Sequence, residues 1–170
     1  IVNAIREWRW IYDNIKKFVN FMLSTNFSEI LIIFVASLCW MPSPLLAIQI
    51  LWLNLVTDSL PALALGIDPK AWDIMEHKPR KKWAKILDRQ MLISILLISV
   101  FVTIWCLTYF MLNKWDIDIA RSGVMLLLVI LEMFAVFVVR ADYWVKFWSN
   151  KWLFAAVFGF TQMQFIEIDD

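Results

Sequence analysis

At 170 residues, 62% of them hydrophobic, the chain is more apolar than a soluble domain of its size, which would be roughly half apolar. A formal net charge of +1 leaves no basic surplus for a nucleic-acid partner. Cys39 and Cys106 lie in apolar runs without ligand or framework spacing and read as buried free thiols. The apolar residues fall in blocks of about 17 to 24, the length of helix that crosses hydrocarbon. The expected fold class is therefore all-α: a polytopic membrane helix bundle with about five transmembrane helices.

The chain opens inside a helical pattern with no cleavable leader, which reads as a start within a longer protein. Residues 1–41 contain no glycine or proline and read as one long helix. Its first part, residues 1–17, which includes most of "REWRWIYDNIKKFVN", is too charged for lipid and is expected to project as a cytosolic stalk. Residues 18–41 form the first predicted span. "MPSP" at 41–44 must turn, because two prolines two residues apart cannot continue a helix. A second span follows at 45–66, then a basic loop at 67–90, "IDPKAWDIMEHKPRKKWAKILDR". The third span is expected at 91–112, the loop "NKWDIDIARS" after it, and the fourth span at 123–139. "RADYWVKFWSNK" leads to a fifth apolar segment at 152–168, so the transmembrane transport domain covers 18–168.

Of the 16 Lys and Arg, all but Lys114 and Arg121 fall on the stalk side of these spans. The positive-inside rule then makes the stalk and the basic loops cytosolic, in an integral, multi-pass protein of the lipid bilayer. Trp40 and Trp115 flank predicted outer ends, and Trp144, Trp148 and Trp152 an inner one, where indoles prefer to sit. Only three glycines occur, few for a bundle in which small residues usually permit close helix contact. The run "KPRKKWAK" is read as a solvated loop that fixes topology rather than a lipid or nucleic-acid site.

Polar residues inside the spans set the functional question. Asn26 and Glu29 are three apart and share a helix face, and Asn54, Thr57 and Asp58 share another at i, i+3 and i+4. Glu132 stands by itself in the fourth span. At about 1.5 Å per residue, Glu29 lies roughly 18 Å from the outer end of its span, Asp58 roughly 20 Å and Glu132 roughly 14 Å. In a core of about 30 Å the three carboxylates meet near the midplane. Each costs about 2.5 to 3.5 kcal/mol on insertion scales, whereas an interhelical hydrogen bond returns about 0.6. Helix-to-helix glue therefore does not account for them. No Lys or Arg stands at that depth, so the missing partner is expected to be a transported cation.

Carboxylate, amide and hydroxyl oxygens are hard donors that suit Ca²⁺, which takes 6 to 8 oxygens. The absence of nearby Cys or His argues against zinc or copper. Manganese stays open as an alternative to calcium. Pro61 supplies no amide hydrogen and clashes with the carbonyl of residue 57, so the second span is expected to loosen around Thr57 and Asp58. Loosened helices free backbone carbonyls for ions in transporters.

"STNFSE", "LLAIQILWLNLVTDSLPALALG" and "DIMEHKPR" resemble the carboxy-terminal membrane region of P-type cation-transporting ATPases of the calcium-pump type. The likeness is strong over residues 1–115 and extends more weakly through "LEMF" and "SNKWL". It implies that Asn26, Glu29, Thr57, Asp58 and Glu132 line one calcium site. Asn54 and Asp58 would contribute to a second, whose other ligands come from an earlier helix. The five spans would be the fifth through ninth of ten, and loop 67–90 would contact a phosphorylation domain. Trp8 and Trp10 depart from the family, which has small residues there. Ala135, Val138 and Ala141 stand where it is polar.

The 170 residues contain no "DKTG" phosphorylation motif and no "TGE" actuator motif, and aspartyl-phosphate chemistry needs those parts. The resemblance thus implies partners upstream: phosphorylation, nucleotide and actuator domains and earlier helices, through which ATP and Mg²⁺ would act. No ATPase activity is expected from this chain alone. The competing reading is a non-enzymatic small membrane scaffold, or a passive cation binder with a vestigial site.

Overall fold

The computed structural model describes residues 1–69, 87–113 and 115–141. The expected fifth segment at 152–168, the tryptophans before it and most of loop 67–90 lie outside the described residues. Five α-helices make up the described part: α1 (Val2–Leu38), α2 (Ala47–Trp52), α3 (Ser59–Gly66), α4 (Arg89–Leu112) and α5 (Ile117–Ala141). A π-helical turn at Leu53–Thr57 joins α2 to α3, so Ala47–Gly66 runs as one span. Among the described residues, four helices are then long and apolar enough to cross a membrane.

Each helix end has a local cause. After Leu38, the amide of Trp40 donates to Ser37 O at 3.2 Å and that of Met41 to Ala36 O at 3.0 Å. This nested pair closes a helix when the intervening residue turns left-handed, and Trp40 has φ 54°. Cys39 sits at this cap and is exposed, which corrects the expectation that both thiols are buried; Cys106 is buried. At the start of α2, Gln49 reaches back so that its Oε1 accepts from the Leu46 amide at 2.9 Å, standing in for a missing helical partner. Asp116 Oδ1 accepts from the amides of Asp118 and Ile119 at 3.2 and 3.3 Å and so caps α5.

Asp88 caps α4: its Oδ1 accepts from the Met91 amide at 3.0 Å. Lys16 of α1 donates to its Oδ2 at 2.5 Å, and that bond, with the cap, holds the carboxyl below its ordinary value of 3.8. A carboxyl lowered in the folded state contributes fully above its unfolded value and loses that contribution as pH falls through the folded one. Because Asp88 is about half exposed, the ion pair itself adds little. Asp88→Ala should therefore cost about 1 kcal/mol, mostly as a lost cap. Thermal unfolding at neutral pH checks this, and the gap to the parent should close in acid.

In lipid no hydrophobic force draws helices together, so small side chains and interhelical hydrogen bonds must do so. With glycine scarce, serine takes that part. Ser24 and Ser28 of α1 and Ser99 of α4 are buried, and Ser99 Oγ donates across to Ser24 O at 3.0 Å. α1 packs against α3, α4 and α5, and α4 against α5. Gly123 leaves room for the ring of Tyr109, which any Cβ there would overlap.

Two apolar clusters result. One gathers Ile32, Leu53, Val102, Phe110 and Leu128 among others, and the second holds Phe21, Ala62, Leu65 and Val136. Along each of three helices, a carboxylate falls between a residue of one cluster and a residue of the other. Glu29 lies between Phe21 and Ile32, Asp58 between Leu53 and Ala62, and Glu132 between Leu128 and Val136. The acidic layer is therefore flanked by an apolar cluster on each side.

Candidate cation site

The second span is irregular where its polar residues stand. Over Leu53–Thr57 the backbone bonds lengthen from the α pattern, and the Asp58 amide reaches Leu53 O at 2.9 Å. Pro61 brings no hydrogen to the Thr57 carbonyl, and Ser59 Oγ helps satisfy the loosened turn by donating to Leu55 O at 2.6 Å. The loosening that Pro61 foretells thus takes the form of a π-helical turn just ahead of it. Such turns widen a helix by one residue and recur at functional sites.

The turn aims Thr57 and Asp58 into the bundle, both fully buried. Glu29 and Glu132 are 3% and 1% exposed. The Asp58 and Glu132 carboxyls come within hydrogen-bonding reach of each other, and Glu29 is close enough to feel both charges. Asn54 Nδ2 donates to Glu29 Oε2 at 2.7 Å, tying the first and second spans together. Two facing carboxylates cannot both accept; they need a proton or a cation between them.

The unsatisfied atoms make the same point. Among the described residues, the buried side-chain oxygens without a hydrogen-bond partner are Asn20 Oδ1, Glu29 Oε1, Thr57 Oγ1, Asp58 Oδ1 and both oxygens of Glu132. All but the first belong to residues nominated from sequence. Buried polar atoms are otherwise nearly always paired, so a concentration of orphans is where a ligand's donors or charge belong.

Asn26 differs. It is half-buried, and its Nδ2 donates to Met22 O of its own helix at 2.7 Å, so the structure does not draw its amide into the carboxylate layer. Thr25 takes the nearer place, with Oγ1 donating to Asp58 Oδ2 at 2.6 Å. Its spacing of four from Glu29 was the available sign, since i and i+4 share a face. Among the described residues, no group of three or more His, Cys, Asp or Glu gathers tightly enough to hold a metal alone. Amide, hydroxyl and backbone oxygens are needed beside the carboxylates.

A bundle of membrane-length helices enclosing a buried acidic layer defines the class: an integral membrane protein with buried carboxylates at its centre. Residues 42–168 match the family described as cation transporting ATPase, C-terminus. The chain is similar to a calcium-transporting ATPase of Bacillus subtilis (strain 168), 44% identical over 114 residues, which is 62% of this chain and 13% of that protein. It is 55% identical over 80 residues to calcium-transporting ATPase 1 of Bacillus cereus, covering 47% of this chain and 9% of that one. With calcium-transporting ATPase 2, endoplasmic reticulum-type, of Arabidopsis thaliana it shares 38% identity over 127 residues, 75% of this chain and 12% of the relative. The chain belongs to the P-type cation-transporting ATPases, as part of their carboxy-terminal membrane region. It spans about an eighth or less of these relatives' length.

Proposed function

We propose that this chain is the transport-domain portion of a calcium-transporting P-type ATPase and holds Ca²⁺ near the bilayer midplane in exchange for protons. The observation that carries the reading is the set of partnerless buried oxygens on Glu29, Thr57, Asp58 and Glu132. Glu29, Asp58 and Glu132 supply charge, Thr57 a hydroxyl and Asn54 an amide oxygen, while Asn26 would join them only by turning its amide away from Met22 O. The π-helical turn offers backbone carbonyls. Together these are hard oxygens of the kind Ca²⁺ or Mn²⁺ takes. Asp58 stands where the irregular helix meets both other carboxylates, so it carries the central role and bridges toward the second site that the family likeness implies.

Three acidic groups face a divalent ion. When the ion leaves, like charges would confront one another in a medium that solvates them poorly, and protons take its place. Calcium affinity should therefore fall as pH falls. ATP and Mg²⁺ would act only through domains upstream, so this chain alone hydrolyses no ATP. The rival reading, a scaffold or passive binder with a vestigial site, draws on the inward amide missing at Asn26. An upstream reading frame encoding "DKTG" and a nucleotide domain decides between them.

The proposed orientation has the stalk and loop 67–90 in the cytosol. Single cysteines introduced at 70–85 should react from the cytosolic side and those at 114–120 from the other. Labelling of both loops from one side would contradict it. Calcium titration of the full-length polypeptide at several pH values tests the site: binding indifferent to pH would make the carboxylates structural.

A further inference from the structure

Below the acidic layer, at the stalk end of the bundle, a second charged layer is built on the same three helices. Asp68, two residues past the end of α3, is fully buried, as are Lys17 of α1 and Arg140 of α5 at 2% exposure each. Lys17 Nζ lies 2.9 Å from Asp68 Oδ2. Arg140 grips the carboxylate side-on, with Nη2 3.0 Å from Oδ1 and Nε 3.2 Å from Oδ2. The main chain is held as well: Asp68 O accepts from Trp10 Nε1 at 2.7 Å and from Asn14 Nδ2 at 2.9 Å. Asn14 Nδ2 also donates to Gly66 O at 3.2 Å, and its Oδ1 accepts from Lys17 Nζ at 3.2 Å. Carbonyls that α3 leaves without helical partners are thus capped by side chains of α1.

We propose that this clamp is a positioning device for the cation site, setting the register in which Asp58 faces Glu29 and Glu132; it rests on the calcium-site reading given above. The spacing supports it. Lys17 precedes Glu29 by twelve residues, Asp68 follows Asp58 by ten and Arg140 follows Glu132 by eight, or about 18, 15 and 12 Å along the helices. Every helix that presents a carboxylate is pinned about two to three turns away by a member of one ion cluster. The second span has most need of this. Its ladder is widened at Leu53–Thr57 and interrupted at Pro61, so its own backbone does not fix where Asp58 points. The eight residues of α3 form a short rod between clamp and ligand, and a shift at Asp68 passes along it to Asp58. Trp10 takes part through its indole nitrogen, so a bulky departure from the family serves docking here.

The test compares Asp68→Asn and Asp68→Glu with the parent in the full-length polypeptide, reading calcium affinity per folded molecule alongside thermal stability. Groups that orient metal ligands typically change affinity by about 10- to 100-fold when altered. Asp68→Asn should weaken calcium binding by at least about tenfold while the pH dependence keeps its shape, because the carboxylates still carry the protons. Asp68→Glu keeps both ion pairs but displaces the helix end by one methylene, and should give an intermediate affinity in well-folded protein. If Asp68→Asn does not fold, the Glu variant alone decides. Parent affinity in the folded variants, with only the melting temperature lowered, overturns the proposal. An Asp58→Asn control separates the failures: binding lost there but kept at Asp68 removes the clamp's role alone. A parent that binds no calcium removes both.

Discussion

Asp58→Asn is expected to abolish measurable calcium binding. The substitution keeps the shape and one side-chain oxygen but deletes the charge at a carboxylate that both Glu29 and Glu132 feel, on the irregular span. It also leaves Thr25 Oγ1, which donates to Asp58 Oδ2 at 2.6 Å, opposite an amide in place of an acid. Oxygen sites tune calcium affinity over orders of magnitude by the number of charged ligands, and losses beyond about a hundredfold take binding out of a physiological range. Glu132→Gln should weaken binding less. Glu132 is repelled by both Asp58 and Glu29, so its neutralisation relieves repulsion while it removes attraction. Equilibrium binding of radioactive calcium to the folded full-length variants measures both, and equal losses would contradict the assignment of Asp58 as the centre.

Asp68→Ala is expected to be the most destabilising single change in the described bundle. It removes the carboxylate that both the Lys17 ammonium and the Arg140 guanidinium contact, all three nearly inaccessible, and breaking a buried pair by removing one partner costs about 3 to 5 kcal/mol. The cost comes from the countercharge lost beside two buried cations rather than from the strength of the pair. Replacing the cluster as a whole should therefore restore most of it: the triple variant Asp68→Leu, Lys17→Met, Arg140→Met removes the three mutually paired charges together. Buried ionic clusters exchanged for apolar residues of similar volume are often neutral or stabilising. Detergent thermal unfolding of the single and triple variants checks this, and a triple variant as unstable as the single would mean that the direct bonds themselves supply the stability.

Four membrane-length helices among the described residues and the acidic layer were legible because both depend on one-dimensional quantities. Apolar length marks a crossing helix, and residue count converts to depth, which put Glu29, Asp58 and Glu132 at one level. Pro61 announced a local break, though whether it would be a kink or a π-helical turn depends on neighbours that sequence does not name. The misses are three-dimensional. Lys17 and Asn14 sit in a stretch charged enough to read as a solvated stalk, yet one face of it is buried on Gly66 and Asp68. Asp68 and Arg140 are 72 residues apart, so no local pattern pairs them. Asn26 and Thr25 are adjacent, and a small difference in helix rotation decides which of them faces Asp58. Cys39 was misjudged because an apolar run does not reveal that the helix caps just there.

The central claim is that the buried carboxylates exchange a cation for protons, and the most direct measurement is proton release on calcium binding. The folded full-length polypeptide, weakly buffered near neutral pH, is mixed with calcium while a pH indicator and calcium occupancy are followed together. The account predicts that protons appear in step with bound calcium, that affinity weakens as the starting pH is lowered, and that Asp58→Asn removes both signals. Calcium that binds without releasing protons, or binds unchanged in Asp58→Asn, would contradict it.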